Sequence, residues 1–334
     1  MKTFLMGLVT TFVGLCVTNV YGQWPNATYS ERLFEIEANA RIMDRPGGEQ
    51  GLPIVRDALT NSILFTSDQA TDLQTSPGFD LRLLRHNHYG ISWELEIAYN
   101  KWDELNPITS VNGIDSPFFP SIRDQIQALV PAANNIRFNS LNYGYESDYF
   151  SIELNAKRAV APGFTLFIGP RFIYLEDLLN VTTTGTFNVG AVTVPFAQNV
   201  NITTENPLIG GQVGASLHVP LTRQLYVTSF IKAGGYGNTA RSTVLISDNL
   251  TNNQPFFSHR RSEGSFVGEV GGKLHYDIFP GSLSLFAGYE AMWVDNIAIA
   301  PTQLLGSLTG SFANVELTGT PFIHGIVFGA TFRR

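Results

Sequence analysis

The sequence predicts an all-β protein, a closed antiparallel up-and-down transmembrane β-barrel of about 10 strands. Three observations predict this fold. Apolar and polar residues alternate with a period of two, long and short connections alternate between the predicted strands, and no internal stretch is apolar enough for a spanning helix. Only 15% of the residues are charged, below the ~25% of ordinary soluble proteins, and 12% are aromatic, which favours strands.

The first 22 residues have the pattern of a secretory signal peptide. Lys2 provides the positive charge, an apolar stretch follows, and Val20 and Gly22 fit positions −3 and −1 of a cleavage site. Residues 23–334 would then form a single barrel domain. Cys16, the only cysteine, would leave with the peptide, so we expect no disulfide in the mature chain.

Period-two alternation is clear in residues 30–43, where Phe34, Ile36 and Ala38 lie on one face and Glu35 and Glu37 on the other. Such a pattern is typical of a strand with an apolar and a polar side. Comparable patterns predict ten strands, at residues 30–43, 78–86, 90–101, 136–158, 163–177, 203–219, 223–242, 264–279, 282–295 and 321–333.

The connections between these strands follow a strict rhythm. The short ones are residues 86–90, 159–163, 220–223 and 280–281, and the long ones are residues 43–77, 102–135, 178–202, 243–263 and 296–320. Outer-membrane barrels have short periplasmic turns and long external loops. If the first strand starts on the periplasmic side, every long connection lies outside and both termini return to the periplasm. Residues 120–130 predict one short amphipathic helix in the second long loop.

This arrangement predicts a location in the bacterial outer membrane, with membrane lipid as the first partner. Aromatic residues at the strand ends would form girdles at the two membrane surfaces: Trp93, Tyr99, Tyr276, Tyr289 and Trp293. The amphipathic last strand, with Phe332 near the carboxyl end, resembles the signal that the barrel-assembly machinery reads. That machinery is therefore the second expected partner.

If the apolar faces meet lipid, charged residues of the strands project into the lumen. The candidate lumen-lining residues are Glu94, Glu96, Glu153, Arg171, Lys232, Glu269, Lys273, His275 and Glu290. An eight-stranded barrel is just filled by its side chains, so ten strands leave a narrow interior. The mixed charges either pair into a salt-bridged polar core or line a small charged pore.

Other chemistry has weaker support in the sequence. The net charge of −7 and the lack of a basic cluster argue against nucleic-acid binding. His86 and His88 lack a clear third ligand, so we expect no metal and no other cofactor. A hydrolase site at the external rim could combine His259, Glu263, Asp248 and Asp295, but these residues follow no motif spacing, and we expect no enzyme. A soluble secreted β-sandwich binding module is the third alternative.

Several stretches resemble the planctomycetal outer-membrane β-barrel protein family, the seventh of the β-barrel families named from those bacteria. They are Gly268–Gly272 with Tyr276, then Gly288, Tyr289 and Trp293, the run Ala298–Gln303, and the glycine-rich stretches Leu208–Gly214 and Lys232–Gly237. The resemblance implies a signal peptide, an outer-membrane barrel, and neither an established activity nor catalytic residues. We therefore expect a structural or surface role, with limited passage of small solutes as an addition to it.

Overall fold

The computed structural model describes residues 34–47, 53–86, 90–116, 119–250, 254–307 and 315–334. The predicted signal peptide, residues 1–22, lies outside these ranges and stays a prediction. In chain order the elements are β1 (Phe34–Arg45), β2 (Pro53–Asp57), β3 (Ile63–Thr66), α1 (Ser67–Thr71), β4 (Leu73–Arg85), β5 (Ser92–Asp115), α2 (Phe119–Leu129), β6 (Ala133–Ala161), β7 (Phe164–Val189), β8 (Val192–Pro220), β9 (Leu225–Asp248), β10 (Phe256–Phe279), β11 (Leu283–Val294), α3 (Ala300–Ser307) and β12 (Phe322–Arg333).

Ten of these strands form a closed antiparallel ring. The order around it is β5, β4, β1, β12, β11, β10, β9, β8, β7 and β6, and β6 pairs again with β5. The short strands β2 and β3 attach to the outer end of β5. The predicted fold class is confirmed, and the β-sandwich alternative is wrong because the sheet closes on itself. Among the described residues, no helix has both the length and the hydropathy to cross a membrane.

The periplasmic part of each strand has an apolar outer face and a polar inner face. On β6, Ile152 and Leu154 are exposed on the outside, while Ser151, Glu153 and Asn155 are buried. About ten tilted residues per strand give a lipid-facing band roughly 25 Å tall, the height of a membrane-spanning barrel wall. Three of the predicted girdle residues, Trp93, Tyr276 and Tyr289, lie exposed on this outer face, and Tyr99 and Trp293 are partly covered there.

The structure shortens three of the five predicted external loops, whereas those at residues 43–77 and 296–320 remain long connections between strands of the ring. Residues 178–202 form a continuation of the β7–β8 hairpin, which turns only at Gly190, and residues 102–115 and 243–248 extend β5 and β9. The extensions escaped prediction because their alternation is reversed. Beyond the lipid-facing band, polar residues such as Thr182 and Thr184 face outward and apolar residues such as Leu179 and Phe187 face inward.

An apolar core fills the outer part of the barrel. Its members include Trp102, Tyr143, Leu175, Leu179, Phe187 and Ile202 of the outer strand halves, together with residues of the external connections. The predicted helix at residues 120–130 is confirmed as α2, which turns Ile122 and Ile126 toward this core. Thus the interior has two regions, one polar and one apolar, stacked along the barrel axis.

Candidate functional site in the barrel interior

All nine candidate lumen-lining residues are buried, and none is more than 7% exposed. They come from β5, β6, β7, β9, β10 and β11, at inward positions of the alternating pattern. The structure brings eight of them into ion pairs. The ninth, His275, lies closer to the periplasmic end.

One half of this network is centred on Arg171 and Lys232. Arg171 pairs with Glu153 at 3.3 Å and with Glu269 at 2.8 Å. Lys232 contacts the same two carboxylates, at 2.8 Å and 3.6 Å, and also Glu96 at 3.4 Å. Because each group is buried, the ions depend on one another in place of water.

The other half is centred on Arg82 and Lys273. Arg82 lies 3.0 Å from Glu96, 3.3 Å from Glu37 and 3.6 Å from Glu94. Lys273 contacts Glu37 at 2.8 Å and Glu290 at 3.2 Å. Glu96 contacts both Arg82 and Lys232 and thereby joins the two halves.

Sequence reasoning missed several members of the network. They are Glu37, Arg41, Asp80, Arg82 and Lys157, all of which lie in the polar cluster of the structure. Glu37 and Arg41 already belonged to the polar face of the first predicted strand, so the alternation there would have identified them. Arg82 and Asp80 lie in the predicted second strand, where Gly78 and Pro77 obscure the alternation.

The ion pairs connect opposite walls of the barrel. In the ring of ten strands, β9 and β5 are four places apart, yet Lys232 of β9 reaches Glu96 of β5. Arg45 of β1 and Asp177 of β7 are also four places apart and pair at 2.8 Å, with Tyr145 donating to the same carboxylate. Nearly diametric contacts of this kind bridge the lumen from wall to wall.

Glu94, Glu96 and Glu153 lie close enough that one oxygen of each falls within 4.8 Å of the others. Such a group could hold a cation, but four basic side chains already neutralise it: Arg82, Lys157, Arg171 and Lys232. Of the predicted histidine pair, His86 contacts the Ser92 hydroxyl at 3.2 Å, and His88 lies outside the described residues. The buried carboxylates therefore serve ion pairing.

A stack of aromatic rings lies at the periplasmic end of the interior. The Tyr226 ring stacks between His218, at 4.6 Å between ring centroids, and His275, at 4.5 Å. His275 also contacts the Phe286 ring, and its Nε2 lies 2.9 Å from the Thr228 hydroxyl. These rings cover the periplasmic side of the ion-pair network.

The connection between β11 and β12 covers the opposite, external side. The Gln303 side chain donates to the Glu316 carbonyl at 2.8 Å and accepts from its amide at 3.0 Å. Asn206 of β8 holds the same connection at Ala298. Its residues Ile297, Ala300 and Leu304 belong to the apolar core. The connection thus packs into the barrel and does not extend from it.

The structure separates the residues of the predicted rim hydrolase. His259 pairs in register with Ser242, six residues from Asp248 on β9, which corresponds to roughly 20 Å along the strand. Asp295 lies beside Phe266, seven residues from His259 on β10. Glu263 forms an exposed ion pair with Arg261 at 3.0 Å. These four side chains do not form one site.

A closed ring of ten strands, an apolar outer band and a charged interior define an outer-membrane-type β-barrel. The outer membrane is also the location that the sequence predicts. The sequence matches no protein-family model and no curated protein. The structure is similar to that of the outer-membrane protease OmpT from Escherichia coli, with 8% identity, a TM-score of 0.43 and coverage of 90% of this chain and 97% of that one.

It is also similar to a major outer membrane protein from Thermus thermophilus, with 10% identity, a TM-score of 0.32 and coverage of 90% and 99% of the two chains. A FadL homologue from Pseudomonas aeruginosa has 9% identity and a TM-score of 0.29 over 91% and 90% of the chains. At these low values the fold assignment depends on the strand pairings of this chain itself.

Proposed function

We propose that this protein is a structural component of the outer membrane, a barrel with a filled interior that supports a rigid sheet outside the cell. The observation that carries the proposal is the wall-to-wall bridging by Lys232–Glu96 and Arg45–Asp177. Buried ion pairs are expensive to separate, because each lost partner leaves an unpaired charge. A lumen closed by such contacts favours a supporting role over transport.

The external half supports the same role. The strands β6 and β8 have 29 residues each, whereas about 9–11 residues suffice to cross a bilayer. The remaining length forms a tall sheet around an apolar core. Such a packed extension presents a stable surface outside the membrane.

The test is ion conductance in planar bilayers. We expect no stable conductance steps for the wild-type protein, and steps for the double variant Arg171→Ser/Lys232→Ser, which removes two central cations and shortens both side chains. Heat-modifiable migration on a detergent gel verifies that each preparation is folded. Steady conductance of the folded wild-type barrel would overturn the proposal of a closed lumen.

Limited passage of small solutes is the second candidate function. The polar character of the interior supports it, because water molecules can occupy the spaces between charged side chains and form a path for small solutes. If the barrel passes solutes, we expect the wild-type protein to conduct cations and anions to different extents. A measured reversal potential in a salt gradient would distinguish it from a closed barrel.

A non-enzymatic role is part of the proposal, and the separation of His259, Asp248 and Asp295 supports it.

We also propose membership of the planctomycetal β-barrel family that the sequence resembles. Its distinctive stretches lie on β8–β11 and α3, where they form one side of the barrel and the connection packed inside it. Recognition of the last strand by the barrel-assembly machinery completes the proposal. Exchanging Phe332 for Ser should lower the amount of assembled barrel in the outer membrane.

A further inference from the structure

A groove opens on the lipid-facing surface of β7–β10. It has a volume of about 350 Å³, at the lower end of the ~300–1,000 Å³ range of ligand sites, and Ile168, Gly211, Val213, Ala233, Gly235 and Phe266 line it. Gly211 and Gly235 are directly paired and form its floor. Next to them, on the external side, Gly237 and Gly264 form a second pair without side chains.

The side chains beside this floor are poorly packed. Ile209 is 68% exposed and Ile168 61% exposed, more than Leu285 of β11, the strand next to the groove, at 48%. A side chain next to a glycine lacks the neighbour that would otherwise cover it, and the missing dispersion contacts must come from the surrounding lipid. The groove is continuous with the lipid-facing band, so the acyl chains of the surrounding lipid can enter it directly.

Two arginines lie above the external end of the groove. Arg241 of β9 and Arg260 of β10 are directly opposite each other in register, on the outward face. Gly237 is four residues before Arg241, about 13 Å along the strand. Between the glycines and the arginines lie the hydroxyls of Thr239 and Ser262, 3.3 Å apart.

Like charges directly opposite each other on neighbouring strands repel. Glu205 contacts Arg241 at 3.9 Å, but it belongs to β8, on the side of β9 away from Arg260. Arg241 also donates to the Ser258 hydroxyl at 3.3 Å. For Arg260, no carboxylate of the described residues lies within ion-pair distance. An anion between the two guanidinium groups would turn this repulsion into attraction.

We propose that this face binds one phosphate-bearing lipid of the outer leaflet. Its phosphate lies between Arg241 and Arg260, the hydroxyls of Thr239 and Ser262 contact the ester region, and one acyl chain lies in the groove over Gly211 and Gly235. Two independent features support it, since the arginine pair attracts an anion and the groove accommodates an apolar chain. A phospholipid carries both groups in one molecule.

The experiment is native mass spectrometry of the detergent-extracted protein, titrated with phosphatidylglycerol or phosphatidylcholine. We expect the wild type to retain one lipid and to prefer the anionic one. Arg241→Gln and Arg260→Gln should each weaken phosphatidylglycerol binding about tenfold and reduce the preference, as expected for the loss of one charge-assisted contact.

Gly235→Leu should abolish retention of the lipid by filling the groove. A side chain fits there, because a Cβ atom on Gly235 would meet nothing within 4 Å. The matched control is Gly272→Leu, another lipid-facing glycine with similar space, where the nearest atom to an added Cβ is the Thr228 carbonyl at 3.9 Å. Arg85→Gln, at the opposite membrane surface, is the control for loss of charge. Heat-modifiable migration verifies folding of every variant.

Three results would overturn the proposal. The first is equal lipid binding by Gly235→Leu and Gly272→Leu. The second is competition by inorganic phosphate at concentrations similar to those of the lipid, which would indicate an anion site without a role for the groove. The third is a dimer that Gly235→Leu dissociates, which would make the occupant a second copy of this chain.

Discussion

Asn206 and Ala298 are joined by two hydrogen bonds at the outer end of the barrel. The Asn206 amide nitrogen donates to the Ala298 carbonyl at 2.7 Å, and the Ala298 amide donates to the Asn206 side-chain oxygen at 2.8 Å. Both residues are buried. One side chain thereby satisfies both backbone groups of a residue in the connection between β11 and β12.

The variant Asn206→Ala should lose this contact and leave two buried backbone groups without partners. Since each costs about 1–3 kcal/mol, we expect the free energy of unfolding to fall by about 3 kcal/mol. Urea unfolding in lipid vesicles, followed by tryptophan fluorescence, measures the change. Asn199→Ala, which removes a partly exposed amide on the outer face, is the control and should have a much smaller effect.

Replacing Lys232 with Met should destabilise the barrel strongly. Three buried carboxylates contact this ammonium group, and breaking a buried pair costs about 3–5 kcal/mol because a charge stays behind unpaired. Lys101→Met is the matched control, since Lys101 pairs with Glu146 on the exposed surface, where such pairs contribute less than about 1 kcal/mol. Equal losses in the two variants, measured by the same unfolding experiment, would contradict the importance of the interior network.

The outer face of the barrel should tolerate an added arginine on the strand extensions outside the membrane and not within the lipid-facing band. Leu154→Arg places a charge near the middle of the lipid-facing band, between the reversal at Asp148 and the end of β6 at Ala161, and should cost about 2–4 kcal/mol. Leu105→Arg is the comparison, because Leu105 is 72% exposed on the strand extension, where water surrounds the sheet. Folding yields into vesicles should fall for the first variant and stay near the wild-type value for the second. The reverse order would place the membrane elsewhere on the barrel.

Asp57 should make one external connection sensitive to acid. The Ser110 hydroxyl and the Thr60 amide donate to its carboxylate and hold the pKa of Asp57 well below its usual value. A lowered pKa in the folded state means that the stabilisation is complete above about pH 4, the ordinary value, and is lost as the pH falls below it.

Amide hydrogen exchange at Leu59 and Thr60, corrected for intrinsic rates, measures this effect. We expect protection to decrease below about pH 4 in the wild type and to be lower and independent of pH in Asp57→Asn. Amides of Val55, on the same strand, provide an internal reference. The same pH dependence in both proteins would show that Asp57 does not hold the connection.

Most of the ring could be predicted from the sequence, because the lipid-facing band imposes apolar-out alternation on every strand. The extensions could not, since water surrounds them and their apolar residues, such as Leu179 and Phe187, turn inward. Threonine and asparagine on the outside then resemble the composition of a loop. The band predicts which charges face inward, but it does not predict that Lys232 would meet Glu96, because that contact depends on how the strands are staggered around the ring.

The reversal of sidedness also determines how deep the protein sits in its bilayer. On β6 the change occurs within a few residues, where the outward side chains pass from Ile152 to Asp148 and the buried ones from Glu153 to Tyr145. A shift toward the periplasm would pull carboxylates into hydrocarbon, and a shift toward the exterior would expose the apolar wall to water. The position of this reversal along β6 therefore fixes the depth at which the barrel is most stable in the bilayer.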